Sequence, residues 1–158
     1  MANVENPSVV LDISEVQAAA RGLGVEVATS EIRRAEDIAP AIDAARGKVE
    51  ALYVAGDPLV TTNRTRIAIL AVGAQLPSMY GNQENVEAGG LVSYGPNLPD
   101  LHRRAANHVD KIFRGTKPSD IPVEQPTKFD LVINLITARA LRLSISPVLL
   151  ARADEVIE

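Results

Sequence analysis

Asp57, Asn63, Tyr80, Glu84 and Ser93 are the side chains of this sequence best suited to chemistry, and that chemistry is the holding of a small molecule. A carboxylate at Asp57 would accept hydrogen bonds from a ligand ammonium or hydroxyl, and the carboxamide of Asn63 offers both a donor and an acceptor. Tyr80 joins a flat apolar wall to a polar tip. Glu84 adds a second carboxylate, and Ser93 a hydroxyl close to Gly95. Each has a plainer reading beside the functional one. Asp57 followed by Pro58 is also the pattern of a helix N-cap with proline in the first turn. Tyr80 also fits a half-buried position in a sheet, and Glu84 a solvated one. Gly89, Gly90 and Gly95 suit either a bulged strand or a close approach of backbone to ligand.

Reactive groups are missing from the same stretches. With no cysteine there is no disulfide, thiolate nucleophile or thiolate metal ligand. His102 and His108 fall on different faces of an expected helix and have no third ligand, so no metal site is expected. The phosphate-cradling loops, the dinucleotide fingerprint and the nucleophile elbow are all absent. The residues therefore point away from an enzyme and from a cofactor. Arg33-Arg34, Arg64, Arg66 and Arg103-Arg104 are interleaved with acids and have no aromatic neighbours, as on solvated faces. The net charge of −4 gives no broad attraction for nucleic acid or an anionic membrane.

The elements that must position these residues alternate. Short β-branched runs are separated by helical periodicity, the pattern of an α/β protein with a mainly parallel sheet flanked by helices in three layers. Helices are expected over 8–22, 35–46, 61–74, 98–113 and 137–143, with a last one opening at Pro147. Strands are expected over 25–32, 51–55, 77–80, 91–94 and 129–135, with ALYVA at 51–55 buried on both faces. Residues 84–88 read as a turn or short helix, and 117–128, with three prolines, as an extended crossing segment. Sheets of this kind bind ligands beyond the carboxyl ends of their strands. The loops 56–63, 81–87 and 95–97 all follow expected strands.

Composition agrees with a single globular domain. The 158 residues are 46% hydrophobic and 23% charged, but only 3% aromatic with no Trp, so the core must be aliphatic. No apolar run approaches the roughly 20 residues that span a bilayer. The start MANVENPSVV shows no charged region followed by an apolar one, so no signal peptide is visible in it.

Three long runs carry a resemblance: EAGGLVSYGPNLPDL, PVEQPTKFDLVINL and LLARADEVIE, in that order, preceded by ALYVAGDPLV with Asn63-Arg64 and by LPSMYG. Together they resemble bacterial ABC-transporter substrate-binding proteins of the tryptophan/tyrosine type, along essentially the whole chain. The resemblance implies one lobe of a type I periplasmic-binding fold, whose two lobes close on a small molecule such as an amino acid, delivered to an ABC permease. It further implies an extracytoplasmic setting for the full-length protein. This chain would be the second lobe, a truncated form, with 1–158 as one domain and 95–128 as hinge and crossing segment. MANV would be the stub of a strand.

Two departures stand out. Where the family often has Leu-Arg-Glu-Phe after Tyr-Gly, this chain has Asn82-Gln83-Glu84-Asn85, and it has Val60 where Phe often follows Asp-Pro-Leu. The helix over 98–113 should face a first lobe, and its stripe of Leu101, Val109 and Ile112 would otherwise drive homo-oligomer formation. The alternative to transport is a flavodoxin-like enzyme, sensor or regulator using Asp57 at a strand end.

Overall fold

In a computed structural model, residues 1–158 form a two-stranded and a five-stranded sheet, joined at their edges and flanked by helices. Strand β1 (Ala2–Asn3) pairs in parallel with β2 (Glu31–Ile32), and β3 (Leu52–Val54), β4 (Ser78–Tyr80), β5 (Val92–Pro96), β6 (Phe129–Asn134) and β7 (Glu155–Ile157) follow side by side. The Met1 nitrogen donates to the Tyr53 carbonyl at 2.7 Å, and the Ala55 amide donates to the Met1 carbonyl at 3.1 Å. These two bonds set β1 against β3, so the strands run β2-β1-β3-β4-β5-β6-β7. The chain thus steps outward on both sides of β1 and β3, the arrangement of a doubly wound sheet with its switch point between those strands.

All neighbours pair in parallel except β5 and β6, which are antiparallel with Ser93 opposite Val132 and Gly95 opposite Asp130. The mainly parallel sheet flanked by helices is the expected one. Strand β7 was not foreseen, and the expected strand over 25–32 shrinks to Glu31–Ile32. The run before Glu31 has no neighbouring strand to pair with and stays irregular. Nor is 51–55 buried on both faces: Leu52 and Val54 point into the core, whereas Tyr53 is 37% exposed.

Local chemistry sets the helix ends. Helix α1 (Pro7–Leu23) starts with Pro7 behind Asn6, whose side chain accepts from the Ser8 amide at 3.0 Å. It stops at Gly24, φ 68°, where the Val25 amide reaches back to the Ala20 carbonyl. A single 3₁₀ turn (Ala35–Asp37) leads into α2 (Ile38–Ala45). The helix expected over 61–74 begins earlier and divides at Asn63 into α3 (Pro58–Thr62) and α4 (Arg64–Gly73). Short α5 (Gln83–Glu87), long α6 (Leu98–Phe113), α7 (Leu135–Ala140) and α8 (Pro147–Leu150) complete the set. The crossing segment over 117–128 is irregular except for a 3₁₀ turn at Pro118–Asp120.

The main core is aliphatic, as the composition requires, and is built from Ile32, Ile38, Ile42, Val54, Ile67, Val86 and Val132, with Tyr80 its one aromatic. It does not extend under α6, none of whose residues is buried. The accessible surface of 10024 Å² exceeds the roughly 7,700 Å² expected of a compact monomer of this mass. Surface of a kind normally closed by packing is left open, and α6 accounts for part of it: Val109 is 49% and Ile112 42% exposed.

Candidate ligand-binding cleft

The five residues singled out from the sequence separate into three places. At the switch point, Asp57 follows β3 and is 6% exposed. Its oxygens accept from the Leu59 amide at 2.7 Å, from Asn6 Nδ2 at 2.7 Å and from Asn3 Nδ2 at 3.1 Å. It is therefore the N-cap of α3, with Pro58 in the first turn, and it also ties the loop after β1 to the loop after β3. Burial raises the pKa of its carboxyl, but the hydrogen bonds from Asn6, Asn3 and the amides of Leu59 and Val60 outweigh this and hold it below the ordinary value. Asn63, one turn on, is half-buried and donates to the Leu59 carbonyl at 2.8 Å, which closes α3.

Tyr80 lies in the core at 1% exposure. Its ring covers Gly90 so closely that a Cβ there would stand 2.4 Å from Cε2. Its hydroxyl is buried near the Ser78 hydroxyl without meeting it in hydrogen-bond geometry, and burial raises the phenol's pKa by more than Ser78 lowers it. The glycine pair that looked suited to ligand approach thus serves, at Gly90, to admit this ring.

Glu84 and Ser93 do come together. They line a cleft of about 280 Å³ beyond the carboxyl ends of β4 and β5, with Gly81, Gln83, Asn97 and Asp130 among its other walls. Glu84 is exposed on α5, whereas Ser93 is 1% exposed and forms the cleft floor. Gly95 is required here: a Cβ on it would lie 1.8 Å from the Gly81 carbonyl oxygen, so the loops after β4 and β5 meet backbone to backbone. Buried polar ties hold α5 in place. Asn134 Nδ2 donates to the Val86 carbonyl at 3.1 Å, and Thr137 Oγ1 to the Gly89 carbonyl at 2.9 Å.

Sequence reasoning missed Gln83, Asn97 and Asp130. Gln83 Nε2 donates to Glu87 at 3.0 Å and to Glu155, on β7, at 2.7 Å. Asn97 caps α6 by accepting from the Asp100 amide at 2.7 Å, and its Nδ2 donates to Asp130 Oδ2. Asp130 stands at the start of β6, and only antiparallel pairing brings a strand's start beside the end of β5. Asn97 was within reach of inspection, since Asn-Leu-Pro ahead of an apolar stripe is a capping signal. The other two depend on the order of the last strands.

The site is thus a doubly wound sheet with a polar cleft at its strand ends, flanked by a long amphipathic helix, α6, that has no buried residue. The chain belongs to the ABC transporter substrate binding protein family, which it matches over residues 2–157. It is 26% identical over 133 residues to a tyrosine-binding protein of Clostridioides difficile, covering 82% of this chain and 39% of that protein. Among solved structures it superposes with a TM-score of 0.90 on a conserved domain protein from Vibrio cholerae, at 24% identity, over 98% of this chain and 52% of that one. A second match has the same TM-score and identity and covers 99% of this chain and 53% of the other. It is an ABC domain from Streptococcus pneumonia in complex with L-Trp. The chain thus spans about half the length of these structures and less of the curated relative.

Proposed function

We propose that this chain forms the second lobe of the solute-binding component of an ABC importer and supplies one wall of an interlobe cleft for a small molecule such as an amino acid. The observation that carries the reading is the family match along residues 2–157. The Glu84–Ser93 cleft, the open polar pocket that two of the singled-out residues line, supports the reading. Capture in such proteins comes from closing two lobes on the ligand, with no bond made or broken. Asp57 and Asn63 fix the loops at the neighbouring switch point, and Tyr80 packs in the core beneath the sheet end. An ABC permease is the partner of the full-length protein, which acts outside the cytoplasm. The α6 surface and the 95–128 segment are the parts that meet the other lobe, and where that lobe is missing the Leu101–Val109–Ile112 stripe pairs copies of the chain.

Calorimetry of this chain against an amino-acid panel, on a sample whose association state is fixed by light scattering, tests the reading. One wall alone should bind at millimolar strength or weaker, and the chain should associate as its concentration rises. Micromolar binding by a clean monomer would overturn it.

A further inference from the structure

The cleft's walls carry a pronounced chemical bias. Glu84, Glu87 and Asp130 line it, and no Lys or Arg does. Glu155 approaches from β7, and its Oε2 and Glu87 Oε1 both lie within 3.0 Å of one neutral nitrogen, Gln83 Nε2. Lys128 Nζ, 3.7 Å from Asp130 Oδ1, is the single cation within salt-bridge range of these four carboxylates. Like charges gathered around an amide, without a counter-cation, repel one another, and an incoming cation relieves that repulsion. On the floor, Ser93 is 1% exposed yet lines the cleft, and on the wall Asp130 Oδ1 is buried with no hydrogen-bond partner, so both can accept from a donor entering from above.

Apolar recognition has nothing comparable to offer. Leu98 is the only hydrophobic side chain on the walls. Tyr80 is inside the core, and Tyr94, next to Ser93 along β5, points to the opposite face of the sheet, where it stacks on Phe129 with ring centroids 5.7 Å apart.

Resting on the small-molecule reading above, we propose that the ligand of this cleft is a small hydrophilic organic cation, a primary or secondary amine with little apolar surface. Its ammonium group enters between Glu84 and the Glu87–Glu155 pair and donates to Ser93 Oγ. An aromatic side chain or a carboxylate of the ligand finds no complementary wall on this half.

Two-dimensional ¹⁵N–¹H NMR of the chain at low ionic strength tests this with four probes: 1,4-diaminobutane, L-lysine, L-tryptophan and glutarate. The two amines should move the amides of Gly81, Gln83 and Ser93 along saturating curves, and glutarate and tryptophan should not. Glu84→Gln, at an exposed position where the fold is not at risk, should weaken amine binding by about threefold, the worth of one partly screened charge pair. If tryptophan or glutarate saturates the same amides as well as the amines do, the cation proposal fails and the small-molecule reading stands. If none of the four moves any of these amides, the cation proposal fails, while the small-molecule reading, which expects only weak binding from one wall, stands. Shifts spread over surface carboxylates and indifferent to Glu84→Gln would also overturn the proposal.

Discussion

Replacing Asp57 by alanine separates an architectural carboxylate from a ligand-binding one, and the structure sets the size of the effect. The substitution removes the N-cap of α3, worth about 1 kcal/mol. It also strips the acceptor from the half-buried side chains of Asn3 and Asn6. Each orphaned donor costs about 1 kcal/mol, the low end of the range because both sites are only partly buried. The sum, about 3 kcal/mol, corresponds to a fall in Tm of about 6–12 °C for a domain of this length.

The pH dependence of the same loss has a fixed sign. Because the native carboxyl titrates below its unfolded value, its contribution is complete above the unfolded pKa of about 4 and disappears as pH falls through the lowered native value. Thermal melts followed by circular dichroism should therefore show the full gap between wild type and Asp57→Ala at pH 7 and a narrowing one as the pH is taken down into acid. A variant melting within about 2 °C of wild type at pH 7 would refute the assignment of Asp57 to the scaffold.

Two further substitutions bear on how the cleft is built. Gly95→Ala should cost about 3 kcal/mol, the upper end for overpacking, because the new methyl meets a backbone carbonyl instead of a movable side chain. Gly73→Ala, with open space around it at the end of α4, is its control and should be neutral or slightly stabilising by urea denaturation. Tyr80→Phe removes a buried hydroxyl that has no partner and should leave stability at pH 7 unchanged or up to about 1 kcal/mol higher. With its native pKa raised, the Tyr80 phenol lends stability that is complete below the unfolded value of about 10 and is lost as pH rises past it, so the variant should resist alkaline unfolding better than wild type. A clear loss of stability at pH 7 would mean that the hydroxyl is hydrogen-bonded after all.

What could be read in advance depended on how local its cause was. The alternation of β-branched runs and helical stripes located nearly every element, and Asp57-Pro58 carried its own capping signal. Strand β2 came out short because length requires a neighbour to pair with, and β1 supplies only two residues. Strand β7 escaped notice because Glu155–Ile157 is three residues long and gains its order from β6. Tyr80 and Ser93 sit at equivalent points near the ends of β4 and β5, yet one faces a helix-covered core and the other an open cleft. That difference lies in what each strand end meets across the sheet, which no local pattern contains.

The placement of the cleft follows from where side chains have already been used. At the switch point, where doubly wound sheets usually hold their ligands, the Asp57 carboxylate is already taken up by hydrogen bonds from Asn3 and Asn6. Open polar surface remains two strands further on, where β6 turns back along β5 and brings Asp130 beside the loop that leads into α6. Asn97 does three things there: it lines the cleft, caps α6 and donates to Asp130. Asp100, in the first turn of the same helix, pairs with Arg104 at 3.0 Å, and Arg104 in turn reaches Glu124 on the returning segment at 3.6 Å. A swing of α6 relative to the sheet must therefore displace or break a bond to a residue of the cleft wall. On the proposed reading, the α6 surface and the cleft wall are coupled through one asparagine, the kind of mechanical link that closure around a ligand would use.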